Sequence, residues 1–159
     1  EPDHSGALVD LLARNPKVLT AASKEFGAQC VVLAVDAKRE GPGWKVYTHG
    51  GRRPAGLDAI AWAVEAQRLG AGELLVTSMD RDGTRQGYDL GLYRAIRAAT
   101  RRPLIASGGA GSAADVFDVL RDGTADAALL ASVLHDGDLT VQEIKAYAAA
   151  RGIAVRRET

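Results

Sequence analysis

Short apolar runs alternate along this chain with segments of helical hydrophobic spacing. The runs cover residues 30–35, 74–77, 104–107 and 127–131. The segments between them carry apolar residues at i, i+3, i+4 and i+7, which is typical of amphipathic helices. Such an alternation predicts βαβ units packed around a parallel sheet, and therefore an α/β fold.

Four sets of residues show this helical spacing. They are Leu57, Ile60, Ala61 and Val64; Leu92, Ala95, Ile96 and Ala99; Val116, Val119 and Leu120; and Val141, Ile144, Lys145 and Ala148. An earlier helix is predicted to begin with Asn15 at the N-cap and Pro16 in the first turn. Gly27 is expected to end that helix, because glycine adopts the left-handed conformation found after helix C-termini.

The first strand suggests a sheet covered on both faces. Residues 31–35 are apolar without alternation, a pattern typical of buried parallel strands. An open doubly wound sheet and a barrel both satisfy it. About four βα units are visible, whereas a complete barrel needs eight and about 250 residues. The spacing alone leaves the two architectures open.

Polar residues and glycines follow each predicted strand. They comprise Asp36; residues 77–84, which include Thr77, Asp82 and Gly83; residues 107–111, which include Ser107, Gly108 and Gly109; and Ala131 with Ser132. In parallel α/β folds, functional residues lie past the carboxyl ends of the strands. Glycine-rich turns there let backbone N–H groups approach a phosphate closely. Each turn alone could be an ordinary βα connection, but three on one rim favour a phosphate site.

Asp36 is the main acid–base candidate, because burial at the mouth of a site would raise its pKa toward a useful range. The alternative is a structural ion pair with Lys38 or Arg39. Asp80 and Asp82 flank Arg81, so at least one of them is expected to be structural. His49 and His135 lack metal-ligand spacing, and we predict neither a metal nor another cofactor.

Composition and charge narrow the classes of partner. The 20 basic and 20 acidic side chains cancel, so we expect no nucleic-acid partner. The single cysteine, Cys30, excludes an internal disulfide and is predicted to be a small buried hydrophobe. No apolar stretch reaches the roughly 18 residues that span a bilayer, and residues 1–5 lack a signal-peptide pattern. We therefore expect a cytoplasmic protein without a membrane partner.

Four motifs resemble, in order, those of the cyclase subunits of imidazole glycerol phosphate synthase, (βα)8-barrel enzymes of histidine biosynthesis. The motifs are Val-Val-Leu-Ala-Val-Asp-Ala-Lys-Arg (31–39), the segment 70–84 with Asp-Arg-Asp-Gly-Thr, Ile-Ala-Ser-Gly-Gly-Ala-Gly (105–111) and Ala-Ser-Val-Leu-His (131–135). A related isomerase family shares the Asp-Arg-Asp-Gly-Thr stretch but usually lacks Asp-Ala-Lys-Arg. The resemblance covers residues 15–159 and implies the C-terminal half of a TIM barrel, about four βα units, with residues 1–14 unmatched.

The resemblance also implies a reaction and roles for the site residues. The cyclase combines ammonia with a phosphoribulosyl intermediate, giving imidazole glycerol phosphate and AICAR. Asp36 matches a catalytic general acid or base, and Thr77 and Ser107 match the lining of the substrate cleft. The positions matched around one of the two substrate phosphates are Asp82, Gly83, Gly108, Gly109, Ala131 and Ser132. Glu73 matches part of a gate for ammonia from a glutaminase subunit, and residues 37–56 resemble a long mobile loop.

Two departures from the family pattern leave two hypotheses open. The N-terminal half, with its own catalytic aspartate and phosphate site, has no counterpart here, and His135-Asp136-Gly137 replaces a usual His-Phe turn. The first hypothesis is a cyclase half that is inactive alone and works with a complementary N-terminal half-barrel. The second is a non-catalytic phosphate-binding half-barrel that self-associates, because the inner faces of its strands would otherwise meet water.

Overall fold

The computed structural model describes residues 15–156, which form a mixed α/β domain. The strands are β1 (Val32–Glu40), β2 (Gly43–Thr48), β3 (Arg53–Asp58), β4 (Glu73–Ser78), β5 (Leu104–Ser107) and β6 (Ala127–Leu129). The helices are α1 (Lys17–Phe26), α2 (Ala59–Leu69), α3 (Leu90–Ala99), α4 (Ala113–Leu120), α5 (Ser132–His135) and α6 (Val141–Ala149). Single 3₁₀ turns lie at Ala28–Cys30 and Arg121–Gly123.

The described strands form one sheet in the order β3-β2-β1-β4-β5-β6. Strands β1, β4, β5 and β6 are parallel, whereas β2 and β3 form an antiparallel hairpin beside β1. The predicted α/β class with four parallel strands is thus confirmed. Consecutive parallel strands are neighbours, so their right-handed crossovers carry the connecting helices to the same face of the sheet.

That helix-covered face holds the core. Leu33, Leu74 and Leu104 lie in register on β1, β4 and β5 and are fully buried. The helices meet them with buried side chains such as Trp62 of α2 and Tyr93 of α3. Because side chains alternate along a strand, the residues between these positions point to the other face.

The other face of the parallel sheet, which we call the open face, is less covered. Its central row consists of Ala34, Leu75 and Ile105, which are paired in register and only partly buried. Val32 is 48% exposed and Leu129 is 41% exposed. Within the described residues β2 pairs with β1 only from Asp36 onward, so the first half of β1 has a strand neighbour on one side alone. The predicted exposure of an apolar inner face is therefore present in this structure.

Capping residues fix where the helices begin at the carboxyl ends of the strands. Ser112 and Asp115 form a reciprocal capping box at the start of α4, and Asp89 accepts a hydrogen bond from the backbone of Leu92 at the start of α3. Gly27 ends α1 as predicted, but with φ of 86° and ψ of 144° it lies outside the left-handed helical conformation. The prediction of Asn15 as N-cap of α1 is wrong by one residue, since Pro16 occupies that position without a side-chain cap.

Three other predictions about local structure are wrong. Residues 43–48 and 53–58 form the β2–β3 hairpin and not part of a long loop. The buried face of α2 consists of Ala59, Trp62, Ala63 and Ala66, not the predicted stripe that includes Ala61 and Val64. Cys30 is exposed in the 3₁₀ turn before β1 instead of buried in a strand.

In residues 15–156, no helix is long and apolar enough to cross a membrane.

Candidate active site

The predicted polar residues form a row across the carboxyl half of the open face. Asp36 of β1 pairs in register with Thr77 of β4, Thr77 pairs with Ser107 of β5, and Ser107 pairs with Leu129 of β6. Neighbouring strands lie about 4.8 Å apart, so the first three residues are close neighbours. Asp36 does not end its strand as predicted, because β1 continues to Glu40 and pairs there with the hairpin.

Two glycines let the loop after β4 pack against the loop after β5. Gly108 and Gly109 have φ of 92° and 104°, a region that other residues rarely adopt. A Cβ at Gly109 would lie 2.3 Å from the carbonyl oxygen of Gly87, and one at Gly108 would lie 2.8 Å from that of Ser78. The Gly87 N–H donates to the Gly109 carbonyl at 2.8 Å. Side chains at either glycine would separate the loops.

These loops enclose a small cavity of about 40 Å³ at the rim of the sheet, which is large enough for a water-sized group or a small anion. Its lining comprises Asp82, Gly83, Arg85, Ser107, Gly108, Gly109, Ala110, Leu129, Leu130, Ala131 and Ser132. The structure thus brings together all the residues predicted for phosphate binding except Thr77, which lies beside Ser107 on the open face. We call this cavity the rim cavity.

The environment of Asp36 suits proton transfer. Desolvation by burial raises the pKa of this carboxyl above its ordinary value of 3.8, and the negative charge of Asp82 raises it further. A carboxyl with a raised pKa can exchange a proton closer to neutral pH. Asp36 and Asp82 therefore act on each other electrostatically across the rim of the sheet.

The alternative role for Asp36, an ion pair with Lys38 or Arg39, is not supported by the positions of these cations. The Lys38 amine lies 5.5 Å from the ring centre of Tyr47, and the Arg39 guanidinium lies 4.8 Å from that of Trp44. Both cations thus stack on aromatic rings of the hairpin. The backbone N–H of Arg39 donates to Asp80 at 2.7 Å, so Asp80 has the structural role expected of one of the two aspartates.

Glu73 lies at the other end of the sheet. It begins β4 and pairs in register with Val32 at the amino end of β1. Three residues of β4 separate it from Thr77, so a molecule entering beside Glu73 would have to pass along the open face to reach Asp36. The structure places Glu73 on the same face as Thr77, because strand residues an even number apart share a face.

Three side chains near the site escaped the sequence analysis. Trp44 of the hairpin donates from its indole nitrogen to Asp89 at 3.0 Å, which fixes the hairpin against the start of α3. Arg85 lines the rim cavity and pairs with two aspartates more than fifty residues later. The position of Asp89 before an apolar stripe could have predicted a cap, but no local signal could have predicted the partners of Trp44 or Arg85.

No group of three or more potential metal ligands occurs in the described part of the chain. The rim instead combines hydroxyls, backbone amides in glycine turns, one arginine and the Asp36–Asp82 pair. Donors of this kind bind oxyanions, and the carboxyl can transfer protons beside them.

Comparisons with known proteins agree with this geometry. A family model described as "Histidine biosynthesis protein" matches residues 9–140. The chain belongs to this histidine biosynthesis family. It is 58% identical over 145 residues to the imidazole glycerol phosphate synthase subunit HisF of Myxococcus xanthus. It is 51% identical over 144 residues to the subunit of the same name from Dehalococcoides mccartyi.

These relatives are longer than this chain. Each match covers 91% of this chain but only 57% of the relative. The chain therefore spans little more than half the length of the curated relatives that it matches. The fold agrees with a part of a barrel, since four parallel strands present a half-covered face where a closed barrel would have its packed interior.

Proposed function

We propose that this chain is the C-terminal half-barrel of a cyclase and takes part in the cyclase step of imidazole glycerol phosphate synthase. In that step ammonia reacts with a phosphoribulosyl intermediate to give imidazole glycerol phosphate and AICAR. The observation that carries the proposal is the row of Asp36, Thr77 and Ser107 beside the rim cavity. Such a row would place a proton-transfer group next to a bound phosphosugar.

In this proposal the rim cavity binds one of the two substrate phosphates. Gly83, Gly109 and Ser132 supply backbone and hydroxyl donors, while Thr77 and Ser107 contact the substrate between the phosphate and Asp36. Asp36, whose pKa is raised by burial and by Asp82, donates or accepts a proton during ring closure. A complementary N-terminal half-barrel supplies the other phosphate site and the second acid or base.

Partners and compartment follow from the same proposal. A glutaminase subunit supplies ammonia at the amino ends of the strands, where Glu73 lies beside the path along the open face. In this proposal the half-barrel includes the described residues 15–156, and the complex works in the cytoplasm. Residues 1–14 lie outside the described part of the chain, and their separation from the half-barrel stays a prediction.

The test is turnover after the chain is combined with an N-terminal half-barrel of the same family. Replacement of Asp36 by Asn keeps the shape of the side chain but removes its proton-transfer function, so turnover should fall by at least about 100-fold. Asp118→Asn, in an exposed ion pair with Arg121 on α4, should leave turnover unchanged. A loss of less than a few-fold in the Asp36 variant would show that this carboxyl is not the acid or base.

A second candidate function is a non-catalytic phosphate-binding half-barrel that self-associates. The partly buried apolar row of Ala34, Leu75 and Ile105 favours it, because this surface can be covered by a second copy as well as by an N-terminal half. The two candidates differ in the complementation experiment. A folded mixture of both halves that binds phosphate but shows no turnover would support the second.

A further inference from the structure

An arginine at the rim cavity is shared between two aspartates. Arg85, in the loop after β4, donates from Nη1 to Asp138 at 2.7 Å and from Nη2 to Asp136. Both aspartates lie in the segment between α5 and α6. The three side chains are partly exposed, with 39% of Arg85 accessible to solvent. The cluster thus joins a loop that lines the cavity to the turn after α5.

Arg85 carries the only positive charge among the described residues that line the rim cavity. Its backbone is held in place there. Its φ is 56°, and a Cβ at Gly111 would lie only 2.2 Å from the Arg85 carbonyl oxygen, so the loop after β5 packs directly against it. A guanidinium carried by a backbone held in this way is suited to an oxyanion, because its N–H groups match two phosphate oxygens at once.

The surrounding charges oppose an anion. Asp136 and Asp138 together outweigh the charge of Arg85, and Asp82 adds a further negative charge to the lining. Ion pairs at partly exposed positions are individually weak. A phosphate in the cavity could therefore replace the aspartates as the partner of the guanidinium.

We propose that Arg85 is a phosphate-binding residue of the rim cavity and that Asp136 and Asp138 compete with the phosphate for its guanidinium. The two aspartates then lower the affinity of the site for the phosphate group and favour its release. This inference rests on the proposed function, in which the cavity binds a substrate phosphate. It adds Arg85 to the residues that bind the phosphate, and it assigns to Asp136 and Asp138 the lowering of the phosphate affinity.

The experiment is a titration of the full chain with inorganic phosphate, followed by the NMR shifts of the Gly83, Gly109 and Ser132 amides. Arg85→Gln should weaken binding by about tenfold, the size expected for a lost charged hydrogen bond. Arg85→Lys keeps the charge but loses the two-pronged geometry, so it should weaken binding less. If the Gln variant does not fold, the Lys variant still tests whether the two-pronged geometry of the guanidinium contributes to binding.

The aspartates are tested as a pair and in both backgrounds. The double variant Asp136→Asn, Asp138→Asn should bind phosphate several-fold more tightly than the unaltered chain. In the Arg85→Gln background the same pair of changes should alter affinity by less than about twofold, because no guanidinium is left to compete for. The control is Asp118→Asn with Asp122→Asn, which removes the same charge at the far end of α4 and should change nothing.

The outcomes separate this inference from the proposed function. Weaker binding in the Asp136, Asp138 variant would overturn it, because the aspartates would then hold the loops in the binding conformation. Equal tightening with and without Arg85 would also overturn it in favour of a general field effect, as would unchanged binding in both Arg85 variants. If phosphate shifts none of the three amides in the unaltered chain, the proposed phosphate site fails together with this inference.

Discussion

At the scale of single residues, the site depends on charges held in unfavourable surroundings. Asp36 lies partly buried on the open face, the negative charge of Asp82 raises its pKa further, and the adjacent cations Lys38 and Arg39 are stacked on aromatic rings. A purely structural aspartate would be expected to have a cation beside it. The arrangement stores a cost to stability at the position where a proton-transfer group is useful.

This cost predicts a pH-dependent gain in stability for Asp36→Asn. The pKa of Asp36 is raised above 3.8 in the folded protein, so the folded state binds this proton more tightly than the unfolded chain. The free energy of unfolding therefore falls as pH rises from the ordinary pKa through the raised one. The neutral amide avoids this loss. Urea unfolding should show the variant more stable than the unaltered chain at pH 7, with the difference shrinking toward pH 4.

The control for that measurement is Asp118→Asn. Asp118 pairs with Arg121 at 3.4 Å in an exposed position, so its replacement should change stability little and should not reproduce the pH trend. An Asp36 variant that is no more stable than the unaltered chain at pH 7 would contradict the assignment of an unfavourable buried charge.

At the scale of secondary-structure elements, close packing between loops shapes the rim cavity. We expect Gly109→Ala to destabilise the fold strongly, because its Cβ would lie 2.3 Å from the Gly87 carbonyl oxygen at a φ of 104°. Gly123→Ala is the matched control, since Gly123 also has a positive φ, 67°, but nothing within 4 Å of the added Cβ. The control should cost about 1 kcal/mol for backbone strain alone.

Gly109→Ala should cost about 2 kcal/mol more than the control, the size of a typical overpacking penalty. Chemical denaturation of both variants measures the difference. The Gly87 amide, which donates to Gly109 at 2.8 Å, should also lose protection from hydrogen exchange in the Gly109 variant only. Equal destabilisation of the two variants would show that the loops are not packed as tightly as described.

Some secondary-structure elements could be predicted from the sequence, and others could not. The apolar centres of β1, β4 and β5 are recognisable because parallel strands between helices are made of uninterrupted apolar residues. The hairpin was missed because the family resemblance implied a mobile loop there, although buried Trp44, Val46 and Thr48 alternate with partly buried residues, as in a strand with one face on the core. In α2 two apolar stripes compete, and the spacing alone does not show that the one with Trp62 is the buried stripe.

Some features of the candidate site could likewise be predicted from the sequence, and others could not. The residues from Asp36 to Ser132 could be placed on one rim, since parallel strands end together at one edge of a sheet. The pairing of Arg85 with Asp136 and Asp138 could not, because it joins segments far apart in sequence through exposed side chains. The raised pKa of Asp36 was predicted from burial, but the contribution of Asp82 needed the packing of the loop after β4.

At the scale of the whole molecule, the open face determines how the chain behaves alone. Ala34, Leu75 and Ile105 form an apolar row that the described helices do not cover, and Val32 and Leu129 extend it. The relatives, of whose length the matches cover only 57%, have further chain that could cover such a face. Without that chain, burial of the row requires another molecule.

We therefore expect the isolated chain to self-associate at micromolar concentration, as a dimer that pairs two open faces. Leu75→Lys places a charge in the middle of the row and should shift the chain to monomer, because burying an unpaired charge is strongly unfavourable. Val64→Lys is the control, since Val64 is 41% exposed on α2, which packs on the opposite face. Analytical ultracentrifugation of the three proteins, with circular dichroism to confirm folding, gives the comparison. A folded monomer of the unaltered chain, or equal association of both variants, would show that the open face is not the surface through which copies of this chain meet.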